Sequence, residues 1–330
     1  MPADPLDGFS LSVSDLAGVG SDLQRPECVL ATASGELYVS DARGGVTRIA
    51  PDGALTLYAG RTADAESLAA NGFAMLRDGS FLVAPLTGGG VFRLGRDGQA
   101  APFLQEVDGR ALSRPNFVLL DDEDRIWICC LTQQDSRPLS CYPREIRDGY
   151  VVLVDQGRAR IVADGIGYPN EVRVDPTGRY LYTTETMAGR LLRYPIQPGG
   201  SLGDPETVVE FDESNILDGF TLDSTGAAWI TAIVSNRLWY VTPTGEARVL
   251  IEASQPERLA RIAHMQRTTG VVRSALYEEP GPMLRNISSV AFGGPDLKTI
   301  FIGSLMGERV LSFRAPVAGA RPAHWDFGPF

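Results

Sequence analysis

Six segments of this chain can be laid on one another in a single register. "RPECVLATASGELYVSD" is followed by "AANGFAMLRDGSFLVAP", "SRPNFVLLDDEDRIWIC", "GYPNEVRVDPTGRYLYTT", "ILDGFTLDSTGAAWITA" and "NISSVAFGGPDLKTIFIGS". Each reads as a polar residue, an apolar strand, a turn and a second apolar strand. Eight residues separate Glu27 from Gly35, Asn71 from Gly79, Asn116 from Asp124, Asn170 from Gly178 and Asp218 from Gly226. The sixth copy has a longer turn, and its Ser288 stands two before Val290 as Glu27 stands two before Val29. Successive register positions lie 44, 45, 54, 48 and 70 residues apart.

A second half-unit follows each copy. "GGVTRIAPDGALTLYAG", "GGVFRLGRDGQAAPFL", "DGYVVLVDQGRARIVADG" and "NRLWYVTPTGEARVLIEA" are hairpins with short Gly-containing turns. "GRLLRYPI" and "ERVLSFRAP" open the corresponding units of copies four and six. Four short strands per unit, at a period in the forties, predict an all-β, six-bladed β-propeller occupying residues 1–330 as a single domain. The 36 glycines and 22 prolines supply the many turns such a fold needs. The last blade lacks a clear fourth strand. "GFSLSVSDLA", ahead of the first copy, alternates apolar and polar, and is expected to return to blade six and close the ring. Eleven residues past the register position stand Tyr38, Leu82, Trp127, Leu181 and Trp229, a repeat of large side chains that reads as inter-blade core.

In a propeller the first strand of each blade lines the central channel. The register positions therefore predict a ring of Glu27, Asn71, Asn116, Asn170, Asp218 and Ser288. Every member carries an oxygen, and two are acids. Two carboxylates facing across a narrow funnel must share a proton or a cation. An all-oxygen ring suits one hard divalent ion, Ca²⁺ first, with Mg²⁺ and Mn²⁺ as alternatives. Zn²⁺ usually prefers nitrogen or sulfur. Polar residues that merely cap strand ends, or an ion that only plugs the channel, are the plainer readings of the same ring.

The net charge of −11 argues against nucleic-acid binding. No stretch is long and apolar enough to span a bilayer, so no membrane role is expected. The start "MPADPLDGFSLSV" has neither a basic nor an apolar leader region. Of Cys28, Cys129, Cys130 and Cys141, none forms a CxxC pair, and Cys28 and Cys129 fall in apolar strands. A reducing cytoplasm is therefore expected. Asn286-Ile287-Ser288 matches a glycosylation sequon by letters alone.

With "RPECV", "RPNFV", "YPNEV" and "LDGFTLD" in that order, the chain resembles the senescence-marker-protein/gluconolactonase/luciferin-regenerating family from near residue 25 to near residue 304. The resemblance implies a propeller holding one divalent metal on Glu27, Asn170 and Asp218. It implies that Asn116 contacts ligand or water beside the metal and that Arg114 contacts substrate. The implied activity is hydrolysis of a lactone, or less often of another ester or a phosphotriester. The metal would polarise the lactone carbonyl and lower the pKa of a water. Asp218 would take the proton from that water, with Glu27 as the alternative base.

Two segments depart from the simpler members of that family: "LTQQDSRPLSCYPREIRDG" (131–149) and "QPERLARIAHMQRTTGVVRSALYEEPGPML" (255–284). In the second, Leu259, Ile262, Ala263 and Met265 are roughly helical in spacing. Such insertions are expected to shape the pocket or to form an interface, including one between copies of the chain. A small lactone or ester is the expected partner. The rival class is a non-catalytic ligand-binding propeller with a structural ion. A serine hydrolase needs a histidine beside its nucleophile. The chain has two histidines, His264 in the insertion and His324 in the tail "AHWDF", and a lone histidine is more often structural or solvated than catalytic, even near the mouth. No phosphate-binding glycine loop occurs.

Overall fold

The computed structural model describes residues 4–62, 67–133, 141–278, 281 and 283–330. Six four-stranded antiparallel meanders form the blades of a propeller. Their innermost strands are Val29–Ala31, Ala70–Met75, Pro115–Leu120, Pro169–Val174, Ile216–Leu222 and Ile287–Gly293. The eight-residue spacing has a backbone cause. Gly35, Gly79, Asp124, Gly178 and Gly226 all take positive φ, between 59° and 85°, in the turn after the innermost strand. Glycine adopts that conformation freely, and Asp tolerates it better than most side chains. In blades three and five the turn is further tied by an aspartate. Asp121 accepts the indole N–H of Trp127 at 2.8 Å, and Asp223 that of Trp229 at 3.1 Å.

Tyr38, Leu82, Trp127, Leu181 and Trp229 are all fully buried, as expected of inter-blade core. Tyr38 of blade one packs on Phe81 of blade two with ring centroids 5.7 Å apart, and Trp229 of blade five meets Phe292 of blade six edge-on at 5.5 Å. The ring is closed by the N-terminal strand. Ala17, Gly18 and Val19 pair with Ser312, Leu311 and Val310 on the outer side of blade six. Of the alternating segment "GFSLSVSDLA", expected to supply this strand, only Ala17 belongs to it; the strand runs on to Val19. Ser12 and Asp15 form a reciprocal cap, with the Ser12 N–H donating to Asp15 Oδ2 at 2.7 Å, and this turns Val13–Asp15 into a 3₁₀ helix. Phe9 of this segment stacks on Phe313 instead of joining the sheet.

The second insertion folds as α1 (Pro256–Thr268) and α2 (Arg273–Tyr277). Pro256 opens α1, and Arg258, Ile262 and Gln266, four apart, form its buried face. Between the helices, Val271–Val272 pairs with Cys141–Tyr142, so the two insertions meet in a short ribbon. Asn286 anchors them to the blades by donating to the Leu276 carbonyl at 2.6 Å. It is fully buried, which accounts for the sequon letters as structure. Residues 134–140 of the first insertion lie outside the described residues. No described helix is long and apolar enough to cross a membrane.

The C-terminal tail crosses the other end of the channel. The Ser224 N–H donates to the Ala318 carbonyl, the Ala320 N–H to Leu222 and the Ala33 N–H to Trp325. The tail thus runs from blade five to blade one, and Phe327 continues to blade two beneath Arg77. His324 lies here, lining a cavity of about 340 Å³ with Leu30, Phe73 and Arg173. It does not reach the mouth, and His264 is exposed on α1. Burial, and then the nearby Arg173 charge, push the His324 pKa down to about 4, while a bond to Ala31 works the other way. Below pH 6.5 the unfolded chain therefore gains a proton that the folded chain refuses. Stability carried by the neutral ring is complete above pH 6.5 and is lost as pH falls toward 4. Thermal melts should show about 2 kcal/mol less acid sensitivity in His324→Gln than in the parent, after allowance for the ring being only half-buried. Parallel pH profiles of the two proteins would contradict this.

Candidate active site

The innermost strands all run in the same direction along the channel, so their first residues gather at one end. There they line a cavity of about 380 Å³ containing Glu27, Asn71, Arg114, Asn116, Asn170 and Asp218. Ser288, the blade-six member, is buried and donates to the Glu27 carbonyl at 3.1 Å, so it fixes the Glu27 backbone. The amides are chained. Asn71 Nδ2 donates to Asn116 Oδ1 at 2.8 Å, Asn116 Nδ2 to the Asn170 carbonyl at 3.0 Å, and Asn170 Nδ2 to Thr186 Oγ1 at 3.2 Å. Each amide is thereby held in one orientation.

Two local features build this end. Glycine follows the ring residue in blades two and five. A Cβ on Gly72 would stand 2.5 Å from the Asn116 carbonyl, and one on Gly219 would stand 2.4 Å from Glu171 Oε1. Only a bare backbone lets neighbouring blades approach this closely. In blades one, three and four the ring residue is preceded by proline, and the residue before that proline takes positive φ: Arg25 (55°), Arg114 (43°) and Tyr168 (63°). That conformation is uncommon for a side-chain-bearing residue ahead of proline. All three of these residues line the cavity.

Glu27 and Asp218 are 7% and 4% exposed. Burial raises the Asp218 pKa well above the ordinary carboxylate range, and the charges of Glu27 and Glu171 add to this. Arg25 and a bond from Asn170 oppose it. Arg25 is bonded to Glu27 through Nη1. Glu171 is a third buried acid, on the strand residue after Asn170. Burial pushes its pKa up to about 7 against the pull of Arg173. Arg173 bonds Glu171 at 2.6 Å and lies over the rings of Phe117 and Phe220.

Several of these groups were not singled out in the sequence. Arg25 sits inside the quoted "RPECV", and its position two before Glu27, like that of Arg114 before Asn116, was the available signal. Glu171 stands next to a ring residue. Strand alternation turns it away from the cavity, toward blade five. Arg273, Leu276 and Tyr277 reach the cavity from α2, across a chain separation that no local pattern encodes.

The donors suit a hard divalent cation. Two buried carboxylates carry repulsion that Arg25 offsets only in part, and amide oxygens stand beside them. Among the described residues no cluster of three His, Cys, Asp or Glu side chains forms. A cation at this end would therefore rest on Glu27, Asp218 and the Asn170 amide. Arg25→Met removes the counter-charge from Glu27. The variant should melt several degrees lower in metal-free buffer, and added Ca²⁺ should raise its Tm by more than it raises that of the parent. No Ca²⁺ response in either protein would contradict the cation fit.

The family description "SMP-30/Gluconolactonase/LRE-like region" matches residues 25–275. A 6-deoxy-6-sulfogluconolactonase from Pseudomonas putida is 27% identical over 241 residues, spanning 72% of this chain and 69% of that protein. The fold is shared with the solved structure of a gluconolactonase from Xanthomonas campestris, with a TM-score of 0.65 at 17% identity over 91% of this chain and 88% of the other. It is also shared with a calcium-binding protein, regucalcin, from Agrobacterium tumefaciens str. C58, with a TM-score of 0.63 at 16% identity over 94% and 93%.

Proposed function

The chain belongs to the SMP-30/gluconolactonase/LRE-like family, and from that premise we propose that it is a hydrolase that opens a small lactone at the mouth of its channel. The observation that carries this reading is the pair of buried carboxylates, Glu27 and Asp218, in one ligand-sized cavity beside oriented amides. The lactonase name of the Pseudomonas putida relative supports it.

The two acids differ in what they can do. Glu27 is paired with Arg25, whose guanidinium engages one of its carboxylate oxygens. Asp218 sits where burial and two neighbouring negative charges strengthen its hold on a proton. Asp218 is therefore the general base. It takes a proton from water as the water oxygen attacks the lactone carbonyl carbon. When the ring C–O bond breaks, it returns that proton to the departing alkoxide oxygen. The Asn116 amide, tied at both ends, and Arg114 orient the ester oxygens. Glu27, Asn170 and Asp218 would hold a divalent cation, Ca²⁺ first, whose charge stabilises the developing oxyanion. Buried, free Cys28, Cys129 and Cys130 are in keeping with a reducing, cytoplasmic setting.

Asp218→Asn should lower kcat for lactone opening about 10²–10⁴-fold while the far-ultraviolet circular dichroism is unchanged. Glu27→Gln should lose activity together with Ca²⁺ affinity. Chelation should abolish turnover, and Ca²⁺ should restore it. Full lactonase activity in purified Asp218→Asn would rule out its role as the base. Unchanged turnover in chelated protein would rule out the cation.

A further inference from the structure

A second ring surrounds the mouth, and it is apolar. Fifteen residues past the register position, where the second strand of a blade ends, stand Leu86, Leu131 and Ile233, counted from Asn71, Asn116 and Asp218. In blade six Leu305 directly follows the equivalent strand, Thr299–Ser304. In blade four Met187 stands two residues beyond Tyr180–Glu185, and α2 contributes Leu276. All six line the cavity that holds Glu27 and Asp218. Met187, Ile233, Leu276 and Leu305 are between 2% and 7% exposed and belong to one apolar cluster with Ile262 of α1 and Val271. The collar is therefore packed from behind. At the fifteenth position itself blade one has Ala42, blade four Glu185 and blade six Gly303, so blades four and six reach the collar two residues later, through Met187 and Leu305.

This collar sets what can sit above the polar ring. A methylene placed against it gains about 0.8 kcal/mol. A hydroxyl pressed against it without a partner loses about 1–3 kcal/mol. The polar groups of the cavity are the ring, Arg25, Arg114 and Arg273, together with the hydroxyls of Thr87, Tyr168, Thr186 and Tyr277, and one ester group with its attacking water can engage many of the ring groups. A sugar lactone carries hydroxyls around its whole body, and those pressed against the Leu, Ile and Met side chains of the collar find no partner there. We infer that the substrate is a lactone bearing a hydrocarbon substituent, held in the collar of Leu86, Leu131, Met187, Ile233, Leu276 and Leu305. A polyhydroxylated sugar lactone fits this collar less well. This rests on the lactonase reading and narrows its substrate.

The test separates binding from turnover. Two unreactive δ-lactams are titrated calorimetrically into the intact 330-residue chain, one with a pentyl chain beside the ring nitrogen and one carrying the hydroxyls of a sugar. The pentyl lactam should bind at least tenfold tighter. Leu305→Asn should weaken it at least fivefold, and Leu86→Asn, at a half-buried position, gives a second reading should the first variant not fold. Equal or tighter binding of the sugar lactam, or binding of neither, overturns the inference. Turnover of the two corresponding lactones is then followed with a pH indicator. Preferential opening of the alkyl lactone supports the inference. Preferential opening of the sugar lactone overturns it and leaves the lactonase reading standing. Tighter pentyl-lactam binding with neither lactone opened supports the collar's preference and removes the hydrolytic reading.

Discussion

The pairing of Ala17–Val19 with Val310–Ser312 holds the first and last blades in one closed ring, and the site depends on that closure. An open array of blades would leave a sheet edge at each end and no common axis. Closure brings Ser288 within 3.1 Å of the Glu27 carbonyl, although 261 residues separate them in the chain. It also turns six strand starts toward one another. Residues far apart in the sequence share a cavity because each occupies the same place in its own blade. The tail secures the far end of the channel by bridging blades five and one.

The same closure creates an electrostatic problem and its partial solution. Three acids, Glu27, Glu171 and Asp218, are buried along the axis. Two arginines answer them from fixed positions, Arg25 on Glu27 and Arg173 on Glu171. At Asp218, burial and the charges of Glu27 and Glu171 raise the affinity for a proton, while Arg25 and a bond from the Asn170 amide oppose this. A buried charge left in this condition costs several kcal/mol. A proton or a cation relieves that cost.

Much of this was legible in the sequence because the repeat is enforced by the backbone. The positive φ of Gly35, Gly79, Asp124, Gly178 and Gly226 fixes the turn in each blade, and so fixes where the ring residues fall. The ring and the buried tryptophans follow from counting. What did not follow from counting depends on packing between distant segments. Arg25 could have pointed to solvent; its positive φ and the proline after it direct it to Glu27. Glu171 and Arg173 alternate with ring residues along one strand, and only the packing of Gly219 and Phe220 shows that they are buried together. The helices of the second insertion were only faintly periodic because α1 buries Arg258 and Gln266 beside Ile262. The alternating N-terminal segment read as a strand, and the local Ser12–Asp15 cap overrode it.

Closure of the propeller concentrates buried acids at one end of the channel, into the site where we propose that a cation and a lactone carbonyl meet. A crystal structure grown with Ca²⁺ and an unreactive lactam tests it most directly. The cation should lie among Glu27, Asn170 and Asp218, with the lactam carbonyl beside it within reach of Asn116. A cation bound elsewhere, or a lactam seated in the cavity beside His324, would contradict it.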